Sequence, residues 1–174
     1  MVNLRKNGLH LRALEPSDIQ FLYDLENNSA YWEISNTVVP FAKHVLESYI
    51  ENAHRDIYDV RQLRLVICLE DETVLGCVDL FDFEPKHKRA GVGIVISAPE
   101  NQKKGYATLA LSLLSEYAFN ILGLHQLYAN VLLDNENSLH LFKKSGFVSI
   151  GVKKDWCWTP EGYKDEVVLQ KIKK

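Results

Sequence analysis

The sequence predicts one α/β layered domain built on a mixed sheet, and three observations carry that expectation. Residues 64–69 and 74–83 are β-rich runs on either side of an Asp71-Glu72 turn, the pattern of an antiparallel hairpin. Val92, Gly93, Ile94, Val95 and Ile96 put no polar side chain on either face, as in a strand covered on both sides at a sheet centre. Strands and helices alternate irregularly, which fits a layered mixed sheet; a dinucleotide-binding unit would alternate strictly.

In chain order, residues 9–14 alternate apolar and polar as a strand does, and Glu15-Pro16-Ser17-Asp18 supplies a turn and a cap for a helix reaching about Asn28. A second, amphipathic helix is expected over residues 43–58, where Val45, Leu46, Tyr49, Ile50 and Ala53 recur at three- and four-residue steps. The hairpin and the strand at 91–96 follow. A loop bearing Gly105 then opens a long helix to about Leu122, with Leu109, Ala110, Leu113, Leu114, Tyr117 and Ile121 as its packing stripe and Gly123 as its stop. Residues 127–133 form the next strand. Asn135 begins a short helix ended by Gly146, and 147–152 with 167–172 close the sheet as a last pair. The expected order is β-α-α-β-β-β-α-β-α-β-β.

With 174 residues, 47% of them apolar, the chain has the material for one substantial core. No Pro-, Gly- or Ser-rich linker and no repeat divides it, so residues 1–174 read as a single domain. Twenty basic and 23 acidic side chains are interspersed to a net charge of -3, which leaves no continuous basic surface for nucleic acid. No apolar run approaches the roughly 20 residues that span a bilayer, and residues 1–6 lack the apolar stretch of a secretion signal. A cytoplasmic setting without a membrane partner is the expectation. Cys68, Cys77 and Cys157 show no CxxC spacing and the six histidines are scattered singly, so the thiols read as reduced and no metal is expected.

Two segments carry chemistry. Gln102-Lys103-Lys104-Gly105-Tyr106-Ala107 joins the buried strand to the long helix, so unpaired N–H groups at the helix start converge on a short loop. The helix dipole favours an anion there, Gly105 allows close approach to backbone, and Lys103 and Lys104 add positive charge. Pyrophosphate suits such a loop, yet the segment is neither a P-loop nor GxGxxG, which removes the ATP and dinucleotide readings. The second segment is residues 135–147. On a helix Asn135, Ser138, Leu139 and Phe142 share one face, with a polar residue heading an apolar stripe. Read alone, Asn135 is an N-cap on a core helix that Gly146 terminates.

In this order and spacing the two segments resemble the (Gln/Arg)xxGx(Gly/Ala) signature and the N-(six residues)-Tyr-(three residues)-GF block of Gcn5-related N-acetyltransferases, the GNAT family. Residues 9–14 resemble the family's first strand. Gly162-Tyr163-Lys164-Asp165 resembles the GxYxD piece of the branch holding the spermidine and ribosomal-protein acetyltransferases. Asn27-Asn28, Tyr31-Trp32-Glu33 and Phe119-Asn120-Ile121-Leu122 are nearest to its spermidine side. The resemblance implies a mostly antiparallel central sheet flanked by helices and splayed in the middle for acetyl-CoA. It further implies that pantetheine pairs with backbone of Ile94, Val95 and Ile96, and that Gln102, Lys103, Lys104, Gly105, Tyr106 and Ala107 hold the pyrophosphate. Asn135 would hydrogen-bond pantetheine, and Phe142 would lie beside the thioester.

The chain departs from the family twice. Phe142 stands where many relatives carry a tyrosine that protonates the departing thiolate, and Gly91 where many place a glutamate as base. The catalytic acid and base are therefore unassigned, with Tyr128 and Tyr163 as other phenols that could handle a proton. The expected reaction is acetyl transfer from acetyl-CoA to a small primary amine such as spermidine, with Glu33, Asp82 and Glu84 as carboxylates for a cationic acceptor. Two alternatives stay open: acetylation of a protein N-terminus, and a catalytically silent acyl-CoA-binding module. A homo-oligomer is compatible with all three.

Overall fold

The computed structural model describes residues 3–174; Met1 and Val2, the start of the segment read for a secretion signal, lie outside the described residues. Eight strands form one sheet: β1 (Arg5–Lys6), β2 (Leu9–Arg12), β3 (Leu63–Leu69), β4 (Val74–Glu84), β5 (Arg89–Ile96), β6 (Gln126–Leu132), β7 (Val148–Thr159) and β8 (Gly162–Ile172). Their spatial order is β1-β2-β3-β4-β5-β6-β8-β7, and every neighbouring pair is antiparallel except β5 with β6. The hairpin pairs are closed by short turns, as where Asp71 accepts from Thr73 N between β3 and β4. The parallel pair is joined by a crossover through the long helix between residues 106 and 120.

The helices are α1 (Ile19–Glu26), α2 (Trp32–Ser35), α3 (Lys43–Glu51), α4 (Ile57–Val60), α5 (Tyr106–Asn120) and α6 (Glu136–Lys144). They cover two faces of the sheet. On one face α5 and α6 pack with Leu9, Ile67, Val78, Leu80, Val92 and Leu127 into the larger core. On the other, α1 and α3 close over Val66 and Cys68 with Leu14, Leu22, Leu46 and Ile50. The period of two in each strand makes this sorting possible, since Val66 and Ile67 are adjacent in sequence yet enter opposite cores.

Four expectations change. The second helix stops at Glu51, and a new one starts at Ile57 because Asp56 turns its carboxylate to cap Tyr58 N at 2.7 Å. The final hairpin is longer than the predicted pair, with bulges after Ser149 and Lys153 absorbing its irregular pattern. A short strand, β1, and the single turn α2 were not anticipated. The α5 helix ends at Asn120, three residues before the Gly123 expected to stop it, which takes a left-handed φ of +66°.

Candidate active site

The parallel pairing of β5 and β6 covers only Arg89, Ala90 and Gly91 against Gln126, Leu127 and Tyr128. Beyond Gly91 the strands part. β5 stays bonded to β4 as far as Ile96, while β6 stays bonded to β8 along its whole length. From Val92 on, one edge of β5 therefore faces a gap instead of a strand, the sheet analogue of an open pairing site. Gly76 supports the parting: a Cβ there would meet Val95 O at 1.9 Å, so only glycine lets β4 draw the end of β5 to itself.

A groove of about 520 Å³ occupies the gap, lined by Ile94, Val95 and Ile96 on one side and by the N-terminal turns of α5 and α6 on the other. At its end Gly105 takes φ +87° as the N-cap of α5, with no side chain capping the helix N–H groups. An added Cβ at 105 would meet nothing within 4 Å, so close approach from the groove is open. Gln102 pins this loop by donating to Ile96 O at 3.2 Å, and Tyr31 closes the adjoining wall by donating to Ser97 O at 2.8 Å. Gln102, Lys103, Gly105, Tyr106 and Ala107 line the groove, and Lys104 does not.

Asn135 caps α6, its Oδ1 accepting from Ser138 N at 3.1 Å, and both residues line the groove. Phe142 does not. Its ring is 4% exposed and packs edge-on against Phe147 at 5.1 Å. The face read from the sequence is thus split: Leu139 and Phe142 turn to the core, Asn137, His140 and Lys144 join Asn135 and Ser138 on the groove, and Leu141 touches both. These, with Tyr31 and Ile34, are among the lining residues not predicted from the sequence, and the i, i+3, i+7 spacing of Asn137, His140 and Lys144 was the signal available.

None of the three predicted acceptor carboxylates lines this groove. Glu33 is ion-paired with Lys164, which also reaches Asp134 at 2.9 Å; the two carboxylates hold the lysine well above its ordinary value. Glu84 pairs with Arg89 at 2.9 Å. Asp82 sits in a bulge of β4 at φ +47° and makes no ion pair among the described residues. It belongs to a cluster on the α1–α3 face, where Phe81 meets Tyr128 edge-on at 6.0 Å. The Phe81 ring lies over Gly91, filling the space a side chain there would need: a Cβ on Gly91 would be 2.2 Å from Cε2. Burial pushes the Tyr128 phenol up, and the carboxylates of Asp82 and Glu84 push it further, against Arg89.

The three cysteines are unpaired, Cys68 and Cys77 in the interior. His10, Cys68 and Glu72 bring potential ligand atoms within 4.8 Å of one another, a grouping the scattered sequence positions did not suggest. The Arg12 guanidinium, held to Asp18 at 2.7 Å and 3.6 Å from Glu72, places a positive charge beside it.

Comparison with known proteins agrees with this architecture. A family model described as an acetyltransferase (GNAT) domain matches residues 8–148. Spermidine N(1)-acetyltransferase of Vibrio cholerae is 34% identical over 146 residues, 82% of this chain and 80% of that protein. The enzyme of the same name from Escherichia coli K12 is 35% identical over 144 residues, 81% and 73% of the two chains. Among solved structures, the Vibrio cholerae spermidine N-acetyltransferase in complex with CoA and spermine superimposes with a TM-score of 0.86 at 29% identity, covering 96% of each chain. A dodecameric structure of the Vibrio cholerae enzyme gives 0.79 at 31% identity, covering 96% of this chain and 95% of that one. With a mostly antiparallel sheet that splays at its one parallel pair and a family match over most of its length, this chain belongs to the GNAT family of N-acetyltransferases.

Proposed function

We propose that the protein acetylates a primary amine of a polyamine such as spermidine, with acetyl-CoA as the second substrate. The observation that carries this reading is the free edge of β5 running into the uncapped N-terminus of α5. An extended pantetheine arm matches the first by strand-like pairing along Ile94, Val95 and Ile96, and pyrophosphate matches the second. Lys103 and Lys144 add positive charge on the same wall, and Asn135 keeps its amide N–H groups for the pantetheine while its Oδ1 serves the cap. Acetyl-CoA supplies an activated thioester.

The amine approaches from the α1–α3 face, over Gly93 and beside the Phe81 ring that covers Gly91. An alkyl ammonium has a pKa near about 10 and must shed a proton before its nitrogen can attack. Asp82, which makes no ion pair among the described residues and lies beside the Tyr128 phenol, is the carboxylate placed to attract the cation. Backbone N–H groups of β5 beyond Gly91 are free on the β6 side to receive the oxyanion. Identity of 34–35% to spermidine acetyltransferases over most of the chain supports a polyamine acceptor. A homo-oligomer is part of this reading, supported by the dodecamer of the Vibrio cholerae enzyme and by exposed apolar residues along edge strand β7: Val148, Ile150, Val152, Trp156 and Trp158. So is a cytoplasmic setting, in which unpaired thiols persist.

The test is CoA release from acetyl-CoA with a panel of polyamines, monoamines and peptides. Spermidine and spermine are expected to lead. A peptide α-amine acetylated while polyamines are untouched would move the acceptor to protein N-termini, and no release with any amine would leave a binding module.

A further inference from the structure

We propose that Tyr128, at the closed end of the splay, is the proton donor to the thiolate that leaves when acetyl is transferred. This role rests on the acyl-transfer reading above, and four observations support it.

The first is position. Tyr128 faces Gly91 in the last bonded pair before β5 and β6 separate. From Ile96 at the phosphate-binding loop to Gly91 is five strand steps, about 16 Å, the scale of an extended pantetheine, so a thioester lying along this edge ends at the apex. The second is orientation. Leu127 and Ala129 are fully buried on the α5 side, so Tyr128 projects from the other face, where its ring is held edge-on by Phe81 at 6.0 Å and 84°. The Phe81 ring covers Gly91 on this face, and Gly93 beyond it carries no side chain and leaves the next stretch of β5 backbone open beside the two rings.

The third is charge state. Burial first, then the carboxylates of Asp82 and Glu84 and a hydrogen bond to Asp82, disfavour the phenolate and outweigh Arg89, so the hydroxyl is held protonated beside a carboxylate on the acceptor side and is a donor. The fourth is the disposition of the other candidates. Phe142 has no hydroxyl and is sealed against Phe147. Tyr31 already donates to Ser97 O, Tyr106 opens α5 at the phosphate end, and Tyr163 is 65% exposed at the tip of the β7–β8 hairpin.

The ammonium proton of the acceptor passes to water before attack, and from the neutral amine onward the proton count closes without another reagent. As the amine nitrogen bonds the carbonyl carbon and the C–S bond breaks, the Tyr128 O–H proton moves to sulfur. The phenolate left behind is a strong base and takes the extra proton from the acylated nitrogen, so one proton passes from amine to thiol and Tyr128 is restored.

Tyr128→Phe keeps the ring and its contact with Phe81, and the variant is expected to melt with the parent. With saturating acetyl-CoA and spermidine its kcat should fall roughly 10²- to 10⁴-fold, the range for loss of a positioned acid. Affinity for acetyl-CoA should stay within about twofold of the parent, because the ground-state groove is untouched. A second readout needs no turnover. The thiol of bound CoA, titrated by the ultraviolet absorbance of its thiolate, should ionise about one unit or more higher in Tyr128→Phe than in the parent, the shift for a lost hydrogen bond to an anion. Turnover by the parent that survives in Tyr128→Phe, or a bound thiol that titrates identically in both, removes the role. No turnover by the parent with any amine removes the acyl-transfer reading beneath it.

Discussion

Gly91 can be tested as a steric consequence of Phe81. A Cβ added at 91 would lie 2.2, 2.5 and 2.7 Å from three atoms of the Phe81 ring, against about 3.5–4.0 Å for carbon atoms in contact. Three overlaps of around 1 Å cannot be absorbed by rotating the ring, because Tyr128 braces its far side. Overpacking of this kind costs about 1–3 kcal/mol. For a chain of this length that is a fall in Tm of roughly 2–12 °C for Gly91→Ala. Phe81→Ala destabilises too, by emptying the place of the ring, but in the double variant the clash is gone. The cycle of parent, two single variants and double variant, followed by thermal unfolding, should therefore show a coupling of about 1–3 kcal/mol in favour of the pair. Gly91→Ala melting within about 1 °C of the parent, or losses that simply add, would refute the claim that Phe81 dictates glycine at this position.

The remaining predictions concern the groove and one buried ion pair. Asn135→Asp keeps the cap oxygen but removes the amide donor, so it should melt like the parent and bind acetyl-CoA about 3- to 10-fold less tightly, as for one neutral hydrogen bond; Asn135→Ala should also lose about 1 kcal/mol of stability with the cap. Equal CoA affinity in Asn135→Asp and parent would leave Asn135 a cap and nothing more. Gly105→Val places a β-branched side chain at φ +87° in the mouth of the loop, and at least a tenfold weaker affinity, about 1.4 kcal/mol, is expected from calorimetry; unchanged affinity in a folded variant would detach the loop from the ligand. Burial pushes the Asp18 carboxyl up, but hydrogen bonds from Arg12 and Glu15 N outweigh burial and hold it below the ordinary value. A depressed carboxyl stabilises the fold above its unfolded pKa near about 3.9 and stops doing so as pH falls through the folded value. Melts from pH 7 to 3 should therefore show the parent losing stability below about pH 5 more steeply than Asp18→Asn, and parallel curves would contradict it.

What the sequence made legible was local. The β3–β4 hairpin announced itself through alternation around one turn, and the loop at Gly105 through a glycine between a buried strand and an apolar helix. What escaped depended on partners far along the chain. The salt bridge that occupies Glu33 comes from Lys164, 131 residues away, and no periodicity points to it. The roll of α6 that sends Phe142 to the core and His140 to the groove is decided by Phe147 and the sheet beneath, because an apolar stripe on a helix specifies that one face is buried without saying what lies beside it. Gly91 was read as a missing base; the Phe81 ring above it is visible only once β4 and β5 are in register.

The three residue pairs that join β5 to β6 also divide the sheet mechanically. On one side β1 to β5 form a plate bonded edge to edge, and on the other β6, β8 and β7 form a second. The seam between them is stitched at Arg89, Ala90 and Gly91 and by Lys88 O accepting from His125 N just before them, all at the end far from the Gly105 loop. A ligand lying along the open edge of β5 acts as a second row of stitches, and the order in which the plates become rigid is set by it. Amide hydrogens at Ile94 and Ile96 should exchange with the ease of a sheet edge in the free protein and slow sharply with acetyl-CoA bound, while those at the centre of β3 and β4 change little. On the proposed pairing with Ile94, Val95 and Ile96, the cosubstrate would take the place of a strand in a sheet left open along its central seam.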